Sequence, residues 1–229
     1  MTTKLPWKRV LCFGAHPDDE IIGPGGTLAR AAREGARVTV VTFCLGETGF
    51  SKKSEKGTIA DARRREAAAA DRALGVHRRI LLGKPTQGVT NDKETFRECV
   101  KIIREVRPDV IFSHGHGDKH RDHRAIAAVT EEAWWKASEN AAADLGPTWL
   151  APEFYHYEVS DLIAHPTLVV DITATFAAKS RALATQKSQM GVLPGIQRYI
   201  EGLAAARGYL RGTKYAEAFQ AGTKIPRPL

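Results

Sequence analysis

The sequence predicts an α/β fold: a Rossmann-like, mostly parallel sheet with helices on both faces. Three observations predict it. Apolar, β-branched runs alternate with helix-patterned segments along the chain. Several of those runs are continuously apolar, as strands buried on both faces must be. Loops dense in His and Asp follow two of the runs, and open α/β sheets bind ligands beyond the carboxyl ends of their strands.

"RVLCFG" (9–14) is the first strand. Leu28, Ala29, Ala31 and Ala32 mark a helix that Gly35 caps. "RVTVVTFC" (37–44) is the second strand, and "GETGFSKKSEKGT" (46–58) is a polar loop long enough to carry function. The pattern predicts a helix over 58–75, opened by Thr58 and Asp61 as a capping box and ended by Gly75. "RRILLG" (78–83) is a short strand. Phe96, Val100, Ile103 and Val106 give helical spacing over 93–106, stopped before Pro108. "DVIFSH" (109–114) is another buried strand, followed by a helix from about 122 to 137. "TLVVDIT" (167–173) reads as a strand, with helices near 174–190 and 196–207 and a loose tail, "TKIPRPL". With no repeat, low-complexity segment or linker, residues 1–229 read as a single domain.

Composition bounds the function. The chain has 229 residues, 43% hydrophobic and 26% charged, which is ordinary for a soluble globular protein. No apolar stretch approaches the ~18 residues of a membrane span. "MTTKLPWKRV" lacks the apolar core of a signal peptide, so a cytoplasmic location is expected. Cys12, Cys44 and Cys99 form no C-x-x-C and read as buried thiols of a reducing compartment. The net charge of +8 is concentrated: residues 179–229 hold nine Lys/Arg against Glu201 and Glu217. That region either attracts an anion or is a solvated helical face. It shows no stacking aromatics or recognition helix, so no nucleic-acid partner is expected. Trp134, Trp135 and Trp149 either pack in the core or join copies of the chain into a homo-oligomer.

"AHPDDE" (15–20) places a histidine and three acids directly after a buried strand. Carboxylates that close repel one another, and a cation would hold them. His16 and Asp19, three apart across a turn, can approach one point; Asp18 between them projects elsewhere. "SHGHGDKHRDH" (113–123) follows another strand at the same sheet edge. His120 and His123 share a helix face, and one of them would complete a His-Asp-His set. Three protein ligands with an open position suit a catalytic zinc site, and no cysteine lies in either loop. Nitrogen and oxygen donors favour Zn²⁺, with Fe²⁺, Co²⁺ or Mn²⁺ as other divalent ions that fit.

These residues resemble the LmbE-like (PIG-L type) N-acetylglucosaminyl deacetylase family. The resemblance rests on "AHPDDE", on "GGTLARAAREGARVTVVT" (25–42), "RRREAAAADRALGV" (63–76) and "DKHRDHRAI" (118–126). "VVDIT" (169–173), "QKSQ" (186–189) and "YAEAF" (215–219) extend it over nearly the whole chain. It implies a Rossmann-like sheet with the metal at the C-terminal edge of the strands, and a small amino-sugar substrate. It implies His16, Asp19 and His123 as metal ligands and Asp18 as general base. It further implies His120 as the group that stabilises the oxyanion or protonates the leaving amine, Asp122 as its orienting partner, and Arg63 as a substrate contact. The expected reaction is zinc-dependent removal of an N-acetyl group from an N-acetylglucosamine-type sugar. An alternative within the superfamily is metal-dependent hydration of an unsaturated dicarboxylate, which the arginine-rich 46–70 stretch would suit.

Overall fold

The structure, a computed structural model, describes residues 3–222. Seven strands form one sheet in the order β3-β2-β1-β4-β5-β7-β6. They are β1 (Arg9–Gly14), β2 (Arg37–Cys44), β3 (Arg78–Lys84), β4 (Val110–His114), β5 (Glu153–Tyr157), β6 (Leu168–Asp171) and β7 (Ala216–Ala221). The first five are mutually parallel; β7 runs antiparallel to β5 and to β6. The helices are α1 (Asp19–Ile22), α2 (Gly25–Arg33), α3 (Ile59–Leu74), α4 (Lys93–Val106), α5 (Arg121–Ala137), α6 (Phe176–Ala184) and α7 (Ile196–Arg211). Among the described residues, no helix is long and apolar enough to cross a membrane.

The two-residue alternation of a strand divides the central runs between two cores. Val10 and Cys12 of β1 join Val38, Val40, Val110 and Phe112 under Leu28, Ala31, Ala70 and Leu74. Leu11 and Phe13 face the other way, with Val41, Phe43 and Ile111 against Val100, Ile103, Ile126 and Val129. Both faces are therefore dry, which is why these strands carry almost no polar residue. β1 sits beside both β2 and β4, and the chain leaves it towards β2 and later returns on the β4 side. The loops after β1 and β4 consequently open next to each other at the sheet's carboxyl edge.

Several expectations need correction. Thr58 makes no side-chain cap on α3; its hydroxyl donates to the Glu55 carbonyl, and Asp61 pairs with Arg64 instead. The segment 174–190 is not one helix: α6 ends at Ala184 and a separate 3₁₀ turn covers Lys187–Gln189. β5 and β7 were not expected as strands. Trp134 is buried and donates to the Ala151 carbonyl, Trp149 donates to the Pro108 carbonyl, and Trp135 is the exposed one. The three cysteines are free and buried, as expected. The "TKIPRPL" tail lies outside the described residues.

The basic C-terminal region is not simply a solvated face. Lys179 is buried, and its Nζ lies 2.6 Å from Glu217 of β7 while donating to the Ile22 and Gly23 carbonyls. Glu217 in turn accepts from Gly26 N and Thr27 N at 2.8 and 2.7 Å, the open N–H groups at the start of α2. Arg207 is likewise engaged with Glu158. Lys179→Met would leave Glu217 charged and buried without its partner. It should cost about 3–5 kcal/mol, read from the denaturant midpoint, and Lys179→Met combined with Glu217→Gln should cost less than Lys179→Met alone.

Candidate metal centre

The loop after β1 turns sharply. Asp18 and Asp19 N–H both donate to the His16 carbonyl, and His16 N–H donates to Asp19 Oδ2 at 2.7 Å. This turn aims the three carboxylates of "DDE" in three directions, and each meets a different cation. Asp18 Oδ1 forms an ion pair with Arg63 Nη2 at 2.9 Å. Asp19 faces imidazoles. Glu20, fully buried, meets Arg79 Nη2 at 2.5 Å, and Arg79 also binds Asp71 and Thr42. Burial raises the Glu20 carboxyl, and the Arg79 guanidinium only partly offsets that.

The loop after β4 supplies the imidazoles. His120 is the N-cap of α5, and His123 lies one turn in, so both rings point back over the sheet edge. His123 Nε2 lies 3.4 Å from His16 Nδ1 and 3.4 Å from Asp19 Oδ1; His16 Nδ1 lies 3.5 Å from Asp19 Oδ2. Donors bound tetrahedrally at 2.0–2.1 Å are about 3.4 Å apart, which is the separation of the two ring nitrogens, and Asp19 meets each ring through a different oxygen. The donor chemistry agrees, since two nitrogens and a carboxylate facing one point suit Zn²⁺ and its neighbours. Ring centroids of His120 lie 4.8 Å from His16 and 4.7 Å from His123, which puts His120 at the rim of the same cluster.

The electrostatics follow the packing. Burial opposes charge on His16, but hydrogen bonds to Asp122 and Asp19 outweigh it and raise the ring to about 10. Burial pushes the Asp19 carboxyl up, yet the neighbouring His123 charge, with contacts from His114 and His16, holds it well below the usual carboxylate range. Burial lowers His120, and the neighbouring His123 and His16 charges lower it further.

The expected pairing of Asp122 with His120 differs from what is found. The Asp122 carboxylate is 3.4 Å from His16 Nε2 and accepts from Gln87 N at 2.7 Å; it is 4.0 Å from His120 Nδ1. What reaches His120 is the Asp122 backbone N–H, which donates to Nδ1 at 3.2 Å. In the neutral ring this leaves the proton on Nε2. The carboxylate is drawn to His16 because that ring is buried between two acids, whereas His120 is half-exposed.

Arg63 is buried rather than on a surface helix face. Besides Asp18 it binds Gln189 Oε1 at 3.1 Å, and Gln189 Nε2 donates to the Gly49 carbonyl. The 46–58 loop packs directly on it. A Cβ at Gly46 would meet Arg63 Nη1 at 2.3 Å, and φ there is +68°, so glycine is required twice over.

Sequence reasoning missed three groups. Asp118 Oδ2 lies 3.1 Å from His123 Nδ1, and its other oxygen accepts from His120 N at 2.8 Å. Burial raises its carboxyl, but His123 overcomes that and brings it down to about 2. His114, at the end of β4, lies 3.2 Å from Asp19 Oδ2, and burial lowers its ring to about 4. Tyr157 of β5 donates to the Phe13 carbonyl at 2.7 Å and contacts His114 Nε2. Asp118 could have been found, since "DKHRDH" carries an acid on each side of its histidines. Nothing local marks Tyr157.

Known proteins match this chain in sequence and in fold. Residues 11–134 match the GlcNAc-PI de-N-acetylase (PIG-L) family. A 1D-myo-inositol 2-acetamido-2-deoxy-alpha-D-glucopyranoside deacetylase of Kribbella flavida is 33% identical over 205 residues, covering 72% of this chain and 67% of its own. The N,N'-diacetylchitobiose deacetylase of Pyrococcus horikoshii superposes with a TM-score of 0.86 at 26% identity, covering 95% of this chain and 84% of its own. The 4-carboxy-2-hydroxymuconate hydratase of Pseudomonas putida shares the fold, with a TM-score of 0.82 at 24% identity over 97% and 99% of the two chains. On this sequence match, the chain belongs to the PIG-L (LmbE-like) GlcNAc-PI de-N-acetylase family.

Proposed function

We propose that the chain is a zinc-dependent N-deacetylase that hydrolyses the acetamide of a 2-acetamido-2-deoxyglucose conjugate. The observation that carries this is the meeting of His16, Asp19 and His123 donors at 3.4–3.5 Å, each ring against its own Asp19 oxygen, with Asp18 and His120 at the margin. The names of the relatives support the substrate class, since the Kribbella enzyme and the Pyrococcus enzyme are both named for acetamido sugars.

His16, Asp19 and His123 would hold the ion, with Asp122 behind His16 and Asp118 behind His123. A bound Zn²⁺ supplies Lewis acidity, which polarises the amide carbonyl and acidifies water. The remaining work falls to the chain. Asp18 takes the proton of the attacking water and returns it to the departing amine, so the products are acetate and a free amino sugar. His120, with its proton on Nε2, donates towards the oxygen that becomes negative in the tetrahedral intermediate. Arg63 holds Asp18 in register through their ion pair.

Purified protein should release acetate from N-acetylglucosaminides; hydration of an unsaturated dicarboxylate without acetate release would overturn the assignment. Asp18→Ala should lower kcat by about 10²–10⁴-fold and still retain metal by elemental analysis. His123→Ala should lose both. Asp118→Ala should retain the ligands yet weaken zinc binding by about 10–100-fold, measured by competition with a chromophoric chelator; unchanged affinity would remove Asp118 from the design.

A further inference from the structure

We propose that His114 is a positioning residue of the metal centre: it sets Asp19 with one ring nitrogen and His123 with its flat face. This rests on the reading of His16, Asp19 and His123 as the ligands.

His114 ends β4 and is fully buried. Three groups surround its Nε2. Ala15 N–H donates to it at 3.0 Å, Tyr157 Oη lies 3.1 Å away, and Asp19 Oδ2 lies 3.2 Å away. The imidazole also stacks on that of His123, with centroids 3.9 Å apart and planes 15° from parallel. Two of the proposed ligands therefore lean on one ring. That ring is fixed by the strands behind it. Tyr157 donates its own proton to the Phe13 carbonyl at 2.7 Å, which ties it to β1, and His156 Nδ1 donates to the His114 carbonyl at 2.6 Å. β1, β4 and β5 together hold the imidazole against the acidic turn and the start of α5.

The other nitrogen shows why the residue is a histidine. His114 Nδ1 is buried and has no hydrogen-bond partner. An unpaired polar atom in a dry place is destabilising. A phenyl ring of similar shape would fill the space and stack on His123 without that penalty. What phenyl lacks is a polar atom at Nε2. The hydrogen bonding of this ring is thus concentrated on the side that faces Asp19, and the unpaired Nδ1 is accounted for by what Nε2 does. Groups that orient metal ligands in this way typically change metal affinity by about 10–100-fold.

The test is zinc affinity, by competition with a chromophoric chelator, together with the visible spectrum of the Co²⁺-loaded chain, which reports ligand geometry. His114→Phe keeps the flat face and loses Nε2; it should bind zinc at least about tenfold more weakly and shift the cobalt bands. His114→Gln carries an amide nitrogen at about the reach of Nε2 and should recover part of that loss. A ring that merely filled space would give the opposite order, with phenylalanine nearest wild type, and that order would overturn the proposal. Should His114→Phe not fold, Tyr157→Phe, which removes one hydroxyl from beside Nε2, should move affinity and spectrum in the same direction. Wild-type affinity and wild-type cobalt bands in His114→Phe or, in its place, Tyr157→Phe would likewise overturn it. A wild-type chain that takes up no zinc would instead sink the reading of the three ligands.

Discussion

Asp19 is an ionised carboxylate with almost no water around it, and the arrangement of this protein follows from how that charge is held. It lies at the end of a strand buried on both faces, where an isolated carboxylate would take up a proton. Its own loop gives it the His16 N–H and, at 3.5 Å, the His16 ring. The remaining partners, His114 and His123, come from a segment about a hundred residues further along the chain. Those imidazoles reach it because β1 and β4 are hydrogen-bonded neighbours, Cys12 opposite Phe112, so the two strands end side by side. The sheet order is thus what allows a charged pocket to exist over an apolar core.

Around that charge the acidic motif separates into distinct duties. Asp18 answers to an arginine on α3, Asp19 to histidines, and Glu20 to an arginine on β3. Adjacent residues that look interchangeable as letters are therefore set by three different elements. Fold alone does not choose the reaction, since a hydratase superposes on the same frame.

Much of this was legible in the sequence, for physical reasons. β1, β2 and β4 are buried on both faces, so their apolar runs are unbroken and stand out. His16, Asp19, His120 and His123 were legible because their spacing and their place after strands reflect one constraint. β5 and β7 were not. "EFYHY" interleaves acid, imidazole and phenol because it lines polar clusters at the sheet's end. "AEAFQA" is written in helix-forming residues, and only pairing with β5 and β6 makes it a strand. The true partner of the Asp122 carboxylate was equally hidden: sequence proximity favours His120, but the burial of His16 between acids decides it.

The seam between Glu217 and the N–H groups of Gly26 and Thr27 has a temporal consequence. A chain emerging from a ribosome makes the acidic loop and α2 first, and the carboxylate that satisfies the start of α2 follows 190 residues after Thr27. Until then that helix end is open and its face of the sheet lacks α6 and α7. The acidic loop therefore gains its setting only when β7 inserts beside it, and a translation product cut short before β7 would have the motif without the shape.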